Sequence, residues 1–565
     1  MKRLIECVPN FSEGNDLSII KQITDSIEAV EGVKLLDVDP GKATNRTVVT
    51  FVGEPEAVVE AAFQGVKRAS ELIDMRYHHG EHPRIGATDV LPLVPVAGVT
   101  LEECAQMARA LAERIATELK VPTYCYESAA LRPERKNLAV VRKGEYEGLQ
   151  QRITQPDEMP DFGGGEWTEQ AARSGATVVG ARDFLIAVNF NLNTTSTRRA
   201  NAIAFDVREK GRPMRDKPIV GKIMKDENGK TIMIPGTLKG CKAIGWFIEE
   251  YGIAQVSMNM TNLSITPLHV AFDEVCRAAD ARGVRVTGAE IVGLVPKSCL
   301  VDAGRHFLRK QNRSTGLPER ELVRIAIESM GLSNLKEFKP EEKVVEYILE
   351  AEEQKGVKKL VDMTCTGFAE ETASESPAPG GGSISAYMGA LAAALGTMVA
   401  NLSSHKAGWD DRWEYFSNWA DNGMSVMNEL LYLVDEDTAA FNKIMDVFGM
   451  PKGTDEEKAA RAEAMEVATL YATQVPLRTM KAAYKAFDVV RAMAEEGNPN
   501  SVSDAGVGAL AARSAVMGAC LNVKINAAGL KDRATAEALV KEAEEIQALA
   551  QKAEAEILAV VESKI

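Results

Sequence analysis

The spacing of apolar side chains changes along the chain, and the change divides it. Up to about position 180, short β-rich runs alternate with stretches in which apolar residues return every three or four positions. LLDVD from Leu35, RTVVTFVG from Arg46 and VPTYCYE from Val121 read as strands. Glu54 to Ile73 reads as a helix, because Val59, Ala62, Phe63, Val66, Ala69 and Ile73 fall on one stripe. Thr100 and Glu103 have the spacing of a capping box at the head of a helix reaching Leu119. In VLPLVPV, Pro92 and Pro95 each remove a ladder donor, which predicts a sheet edge or a segment outside the sheet. Pro156 to Gly165 reads as loop.

A second strand and helix alternation starts near Gly180. FLIAVNFNL is a strand, Thr195 to Lys210 a helix, AQVSMNMT a strand, Pro267 to Arg282 a helix and VRVTGAEIVG a strand. Ile223 to Ile234 reads as an inserted hairpin about Asn228-Gly229, a pair that supplies the positive φ angles of a tight turn. After about Arg305 the strand signals stop. A charged helical stretch, Glu341 to Lys359, leads to a region helical in nearly every window, ending in the Ala/Glu/Lys-rich run Thr535 to Lys564. The predicted fold class is α/β plus all-α. Two stacked α/β subdomains, each a sheet with helices on one face in a ferredoxin-like manner, occupy 1–180 and 181–330; a helical linker covers 331–357 and a helical bundle 358–565.

Within that bundle Ile384 to Leu402 carries no charge over nearly the length of a membrane span. Its Ala and Gly content points instead to a helix buried among others, because small residues add little transfer energy and let backbones approach. Gly389, Ala393 and Gly396 lie on related turns and call for close helical neighbours. In the helix that follows, Met427, Leu430, Leu433, Val434, Ala440, Phe441 and Ile444 form a stripe that carries Asp437 inward and leaves Asp435 and Glu436 to solvent.

Composition narrows the function classes. A chain of 565 residues with 45% hydrophobic side chains can build several cores. Its 81 acidic against 66 basic side chains, a net charge of −15, argue against nucleic acid and anionic membrane partners. An anionic substrate then needs local basic groups. The eight cysteines are scattered without a CxxC pair, which predicts buried free thiols in a reducing cytoplasm. MKRLIECVPNFSEGN turns polar too soon for a secretory signal.

Three of the six histidines, His78, His79 and His82, crowd one short segment, HHGEHPRIGATDV. No Cys or carboxylate ligand stands at metal spacing beside them, so the prediction is no metal. Taken alone, a polar GEHPR segment reads as a surface loop. Gly380-Gly381-Gly382-Ser383 heads the apolar helix and could present backbone N–H groups to an anion, or could be a flexible entry capped by Ser383.

Several long segments together resemble one family, the formiminotransferase-cyclodeaminases. LIECVPNFSEG, LLDVDPGKATNRTVVTFVG, GEHPRIGATDV and GATVVGARDFLIAVNFNL look like its transferase part. IGWFIEEYGIAQVSMNMT and EIVGLVPKSCLVDA look like the second transferase subdomain, and SPAPGGGSISAYMGAL and LVDEDTAAF like the cyclodeaminase. The resemblance implies a transfer of the formimino group from N-formiminoglutamate to tetrahydrofolate as co-substrate, then ring closure to 5,10-methenyltetrahydrofolate with loss of ammonia, in histidine breakdown. It implies folate that is polyglutamylated and self-association as a ring of dimers. His82 corresponds to the family's catalytic histidine. The loop from Gly163, Gly164 and Gly165 to about Ala172 corresponds to a folate-binding segment, in a longer form here. The family's cyclodeaminase aspartate falls where this chain has Trp413, with Asp410 and Asp411 beside it.

The chemistry suits these residue types. Attack by nitrogen 5 of tetrahydrofolate releases a proton that the departing glutamate nitrogen must regain, and imidazole can serve both steps. Asp39 is the candidate to face the cationic formimino group, and Arg46 and Arg84 to hold the glutamate carboxylates. Gly380, Gly381 and Gly382 are the candidate seat for a folate carboxylate. Asp437 and Asp411 compete for the cyclodeaminase acid or base. The rival readings are a transferase whose helical domain only dimerises, and a non-catalytic folate-binding protein.

Overall fold

The structure, a computed structural model, describes residues 3–41, 45–80, 83–217, 221–353 and 359–565. It divides into two compact units, Met1–Pro296 and Lys297–Ile565.

The first unit holds two main sheets. In the larger, β1 (Leu4–Cys7) and β2 (Asn10–Phe11) lie between β4 (Arg46–Gly53) and β5 (Thr88–Ala97). The strand β3 (Val33–Gly41) forms the edge beside β4, and β7 (Thr177–Ala181) and β6 (Thr123–Glu127) extend the sheet beyond β5. Helices α1 (Leu17–Glu28), α2 (Pro55–Leu72) and α3 (Leu101–Arg114) cover one face. Ile5, Cys7, Phe11, Val49, Phe51, Leu91, Leu93 and Val179 point into them, since alternate strand residues share a face. The predicted capping box on α3 forms in full, with Glu103 returning to the Thr100 N–H. At the β6 end, Leu149 and Val141 cover Val90, Tyr124, Tyr126 and Val178 on the other face.

The proline prediction for β5 fails. The strand is central, bonded to β1, β2 and β7. Cys7 pairs with Leu93 and Asn10 with Val90, so Pro92 faces the break between β1 and β2 at Val8 and Pro9. On that side of β5 no ladder residue stands opposite Pro92 to receive a donor, and the Pro92 carbonyl still accepts the Val8 N–H at 3.3 Å, while β7 pairs Gly180 with Pro92 on the other side.

The second sheet runs in the order β11 (Cys241–Ile248), β12 (Ile253–Met260), β8 (Ile186–Leu192), β13 (Val286–Val292), all antiparallel. The predicted hairpin has Gly229 at φ +77° in its turn, and its last two residues, β10 (Met233–Ile234), pair with the short strand β9 (Arg212–Pro213). Helices α4 (Thr197–Val207) and α5 (Leu268–Asp280) contribute buried apolar side chains to this part of the unit. Asn191 and Gln255, on strand positions alternating with the apolar ones, are buried and bonded to each other at 2.8 Å. Lys242 of β11 acts electrostatically on Glu127 at the end of β6.

The second unit is helical. It opens with α6 (Lys297–Lys310) and α7 (Glu319–Met330), which the sequence pattern had grouped with the second α/β subdomain. Their connection docks on the long helix α9 (Trp413–Phe448). There Thr315 donates from its N–H to Ser417 at 3.0 Å and from Oγ1 to Asp421 at 2.6 Å. Gly316 lies so close to Ala420 that a Cβ would overlap it. The bundle itself is α8 (Gly381–Ser404), α9, α10 (Asp455–Glu496), α11 (Val502–Ala527) and α12 (Arg533–Glu562). Both α8 and the stretch Pro499–Ala527 around α11 are long and apolar enough to cross a membrane, yet α8 has 61% of its most apolar window buried inside the protein. Gly389 and Gly396 sit where Leu430, Ala483 and Val489 close in, as the small-residue pattern predicts.

Candidate active sites

In the helical unit, the sequence candidates Asp437 and Gly380 to Gly382 come together. They line a cleft of about 140 Å³ with Pro377, Thr438, Phe441, Asn522 and Asn526. Asp437 reaches the first turn of α8, where its Oδ2 accepts the Ser383 N–H at 2.9 Å and the Ser383 hydroxyl at 3.2 Å. That contact exists because residue 382 is glycine; any Cβ there would fall on the Asp437 carboxylate. Of the N–H groups at this helix start, Asp437 takes that of Ser383, and Gly380, Gly381 and Gly382 line the same cleft. Burial raises the Asp437 carboxyl above the ordinary carboxylate range, and the two Ser383 hydrogen bonds work against that rise.

The neighbours of Asp437 are not the solvated charges the stripe suggested. Asp435 accepts the Leu360 N–H at 2.7 Å. Glu436 accepts the Tyr432 hydroxyl at 2.7 Å and that of Tyr471. Asn522 and Asn526, one helical turn apart on α11, were missed because they lie on a helix with no amphipathic bias to mark an inward face. Asp411 is exposed in the short turn Asp410–Arg412 before α9. It stands 26 positions from Asp437 along the chain, roughly 39 Å of helix. The structure thus separates the two competing aspartates, with Asp411 just before α9 and Asp437 about three turns short of its far end. A larger cleft of about 580 Å³ opens near the Asp411 end, lined by Tyr415, Trp419, Glu429, Lys485 and Glu496.

In the first unit, His82 lies outside the described residues. The chain on either side of it is firmly held. Asn45, at φ 45°, donates from Nδ2 to the His79 carbonyl at 2.9 Å and accepts the Gly14 N–H at 3.0 Å. His78 Nε2 lies 2.8 Å from the Asn45 carbonyl, and Arg84 Nε donates to His78 Nδ1 at 3.2 Å. Those two partners require the neutral tautomer with its proton on Nε2. Burial lowers the His78 pKa in the same sense.

Arg84 is spent on this scaffold. Its five N–H groups meet His78 Nδ1, the His78 carbonyl, Glu145, and both oxygens of Glu147. It is 6% exposed, and the predicted role as a free clamp for the glutamate tail is withdrawn. Arg46 is half-buried near Asp89 and Arg142, and Asp89 is ion-paired to Arg142. Burial raises the Asp89 carboxyl, and Arg142 opposes the shift. Asp39 is exposed on β3, paired with Val48 on the sheet face away from α1 to α3. Arg46 begins β4 opposite Gly41, so these two candidates share one region. Gly163, Gly164 and Gly165 do not join them. Gly163, at φ +70°, packs near Ala116 and Pro122 beside β6, at the far edge of the sheet and roughly 25 Å from β3 by strand spacing. Among the described residues no three His, Cys, Asp or Glu side chains gather as a metal site.

Family models match almost end to end. Residues 4–182 match the N-terminal subdomain of the formiminotransferase domain, 187–350 the formiminotransferase domain, and 364–545 the formiminotransferase-cyclodeaminase model. The formimidoyltransferase-cyclodeaminase of Gallus gallus is 40% identical over 533 residues, 94% of each chain. The chain belongs to the formimidoyltransferase-cyclodeaminase family. Two shorter relatives cover part of it. The glutamate formimidoyltransferase of Streptococcus pyogenes serotype M1 is 41% identical over 55% of this chain and 95% of its own. The methenyltetrahydrofolate cyclohydrolase of Methylorubrum extorquens is 39% identical over 36% of this chain and 97% of its own. In this family member the Asp437 cleft falls within the matched cyclodeaminase segment, and Asp39, Arg46 and Arg84 within the matched N-terminal transferase segment.

Proposed function

We propose that the first unit moves the formimino group from N-formimino-L-glutamate to nitrogen 5 of tetrahydrofolate, and that the helical unit closes the product to 5,10-methenyltetrahydrofolate with release of ammonia. The observation that carries the second step is the Asp437 carboxyl seated against Gly382 and Ser383 in an open cleft. In ring closure, nitrogen 10 attacks the formimino carbon and its proton passes to the terminal imino nitrogen. The resulting amino group leaves as ammonia only when a further proton reaches it. Asp437, biased toward its acid form by burial, donates that proton and becomes the carboxylate that the Ser383 N–H and hydroxyl stabilise.

For the transfer step, His82 is the base that takes the nitrogen 5 proton and the acid that returns it to the glutamate nitrogen. The anchoring of its flanks by Asn45 and Arg84 supports this assignment. Asp39 faces the cationic formimino carbon, and Arg46 takes a glutamate carboxylate. The setting is histidine breakdown in a reducing cytoplasm, and the folate is polyglutamylated. Self-association through the helical unit belongs to the same reading. Exposed Leu391, Met398 and Leu402 on α8, with Leu510, Leu521 and Ile525 on α11, support it.

Incubation with formiminoglutamate and tetrahydrofolate, following ammonia and methenyl absorbance together, tests the whole reading. Both signals are expected in equal amounts. Transfer that stops at 5-formiminotetrahydrofolate, with neither signal, would remove the deaminase step.

A further inference from the structure

Asn10 occupies β2 in the middle of the larger sheet. Its cross-strand partners are Val48 on β4 and Val90 on β5, and Val48 is paired on its other side with Asp39. Cross-strand partners turn their side chains to the same face. Phe11 and Val49, the next residues along, enter the core under the helices, so Asp39, Val48 and Asn10 form a row on the opposite face. Two strand spacings set the Cα atoms of Asp39 and Asn10 about 10 Å apart.

Asn10 is 6% exposed. Its Nδ2 donates to the Val8 carbonyl at 3.0 Å, which fixes the way the amide points, because an oxygen in that place would face another oxygen. The Oδ1 on the other side is buried and accepts no hydrogen bond among the described residues. Buried amide oxygens nearly always have a partner, and leaving one without is costly.

We propose that Asn10 is a substrate-positioning residue of the transfer reaction, its amide oxygen accepting an N–H of the formimino group from the side opposite Asp39. This rests on the formiminotransferase reading of the first unit. The protonated formimino group is a planar amidinium, with N–H donors on both nitrogens and no acceptor. Two oxygens approaching from the ends of one cross-strand row hold it in a fixed plane and leave its carbon open to nitrogen 5. No bond to Asn10 forms or breaks. The amide also stays neutral, so it can orient the cation without competing with His82 for a proton.

The test uses the full-length enzyme. Asn10→Ala is expected to raise KM for formiminoglutamate about tenfold or more. The KM for tetrahydrofolate and the cyclisation of supplied 5-formiminotetrahydrofolate are expected to stay at wild-type values. Asn10→Thr, which keeps an acceptor oxygen, is expected to recover part of the loss and serves in its place if the alanine variant does not fold. A wild-type KM for formiminoglutamate in Asn10→Ala would overturn the assignment, leaving the oxygen to an internal water. A rise in the tetrahydrofolate KM instead would also overturn it, placing the amide on the folate. Wild-type enzyme assayed alongside separates the levels: no transfer there overturns the functional reading itself, whereas intact transfer with unaffected variants overturns Asn10 alone.

Discussion

Asp437 owes its environment to a hydrogen atom on another helix. Because residue 382 has no side chain, the carboxylate can lie on the first turn of α8 and take two hydrogen bonds from Ser383. Asp437→Asn keeps the shape but cannot donate an acidic proton, so ammonia release is expected to fall by a hundredfold or more while formimino transfer is unchanged. Burial raises the Asp437 pKa, which extends to higher pH the acid form that proton donation requires. Cyclisation by the wild type should therefore decline as pH rises through that raised pKa, and the decline should vanish from the residual rate of the variant. Asp411→Asn, in the turn before α9, is expected to retain most cyclisation, as coupled ammonia and absorbance assays would report. At this scale the sequence indicated that the Asp437 side chain turns inward, because its place in the apolar stripe is a local property. It could not show the fate of Arg84, whose partners Glu145 and Glu147 stand 61 and 63 positions away. Arg84→Ala is accordingly expected to lower the melting temperature and the transfer rate together, because it strips His78 and two carboxylates of a buried partner. A selective rise in KM for formiminoglutamate would instead restore it as a substrate clamp.

Among elements, α8 is where two physical effects oppose each other most directly. Alanine is preferred over glycine in a helix by about 1 kcal/mol. At Gly382 the added Cβ meets the Asp437 carboxyl, so the gain in propensity comes with displacement of the acid. Gly382→Ala is expected to leave thermal stability near wild type and to lose cyclisation, a dissociation visible by comparing melting curves with ammonia release. A variant with both properties unchanged would show that Asp437 works from another position. Helix starts were legible when their caps were local, as with Thr100 and Glu103. Strand β5 was misplaced because proline position carries meaning only relative to the neighbours, and the break between β1 and β2 that accommodates Pro92 is set by tertiary pairing. The helices α6 and α7 lie within the matched transferase segment, 187–350, yet in the compact unit of the bundle, after Pro296. Two amphipathic helices look alike wherever they dock, and only the contacts of Thr315 and Gly316 with α9 reveal which unit holds α6 and α7.

Over the whole molecule, the candidate residues for the two reactions separate along the same line as the compact units. His82, Asp39, Arg46 and Asn10 belong to Met1–Pro296, and Asp437, Ser383 and Asn522 to Lys297–Ile565. His82→Ala is therefore expected to abolish transfer and spare cyclisation of supplied 5-formiminotetrahydrofolate. The same separation predicts how the chain can be cut. A fragment Lys359–Ile565 contains the five bundle helices but loses the turn that places Thr315 against Ser417 and Asp421. It also uncovers the surface around Ala420 that Gly316 occupies. A fragment Lys297–Ile565 keeps both. Removing a buried hydrogen-bonded latch of this size costs on the order of 2 kcal/mol, which should shift the melting temperature of the shorter fragment downward by several degrees. Both fragments retain the Asp437 cleft, whose lining residues all follow position 359. Cyclisation per folded molecule should thus be similar in the two, with the difference confined to stability. Equal melting temperatures would show that the α6 and α7 hairpin rests on the bundle without supporting it. Loss of cyclisation in the shorter fragment at a temperature where it remains folded would show that the hairpin contributes to the site itself.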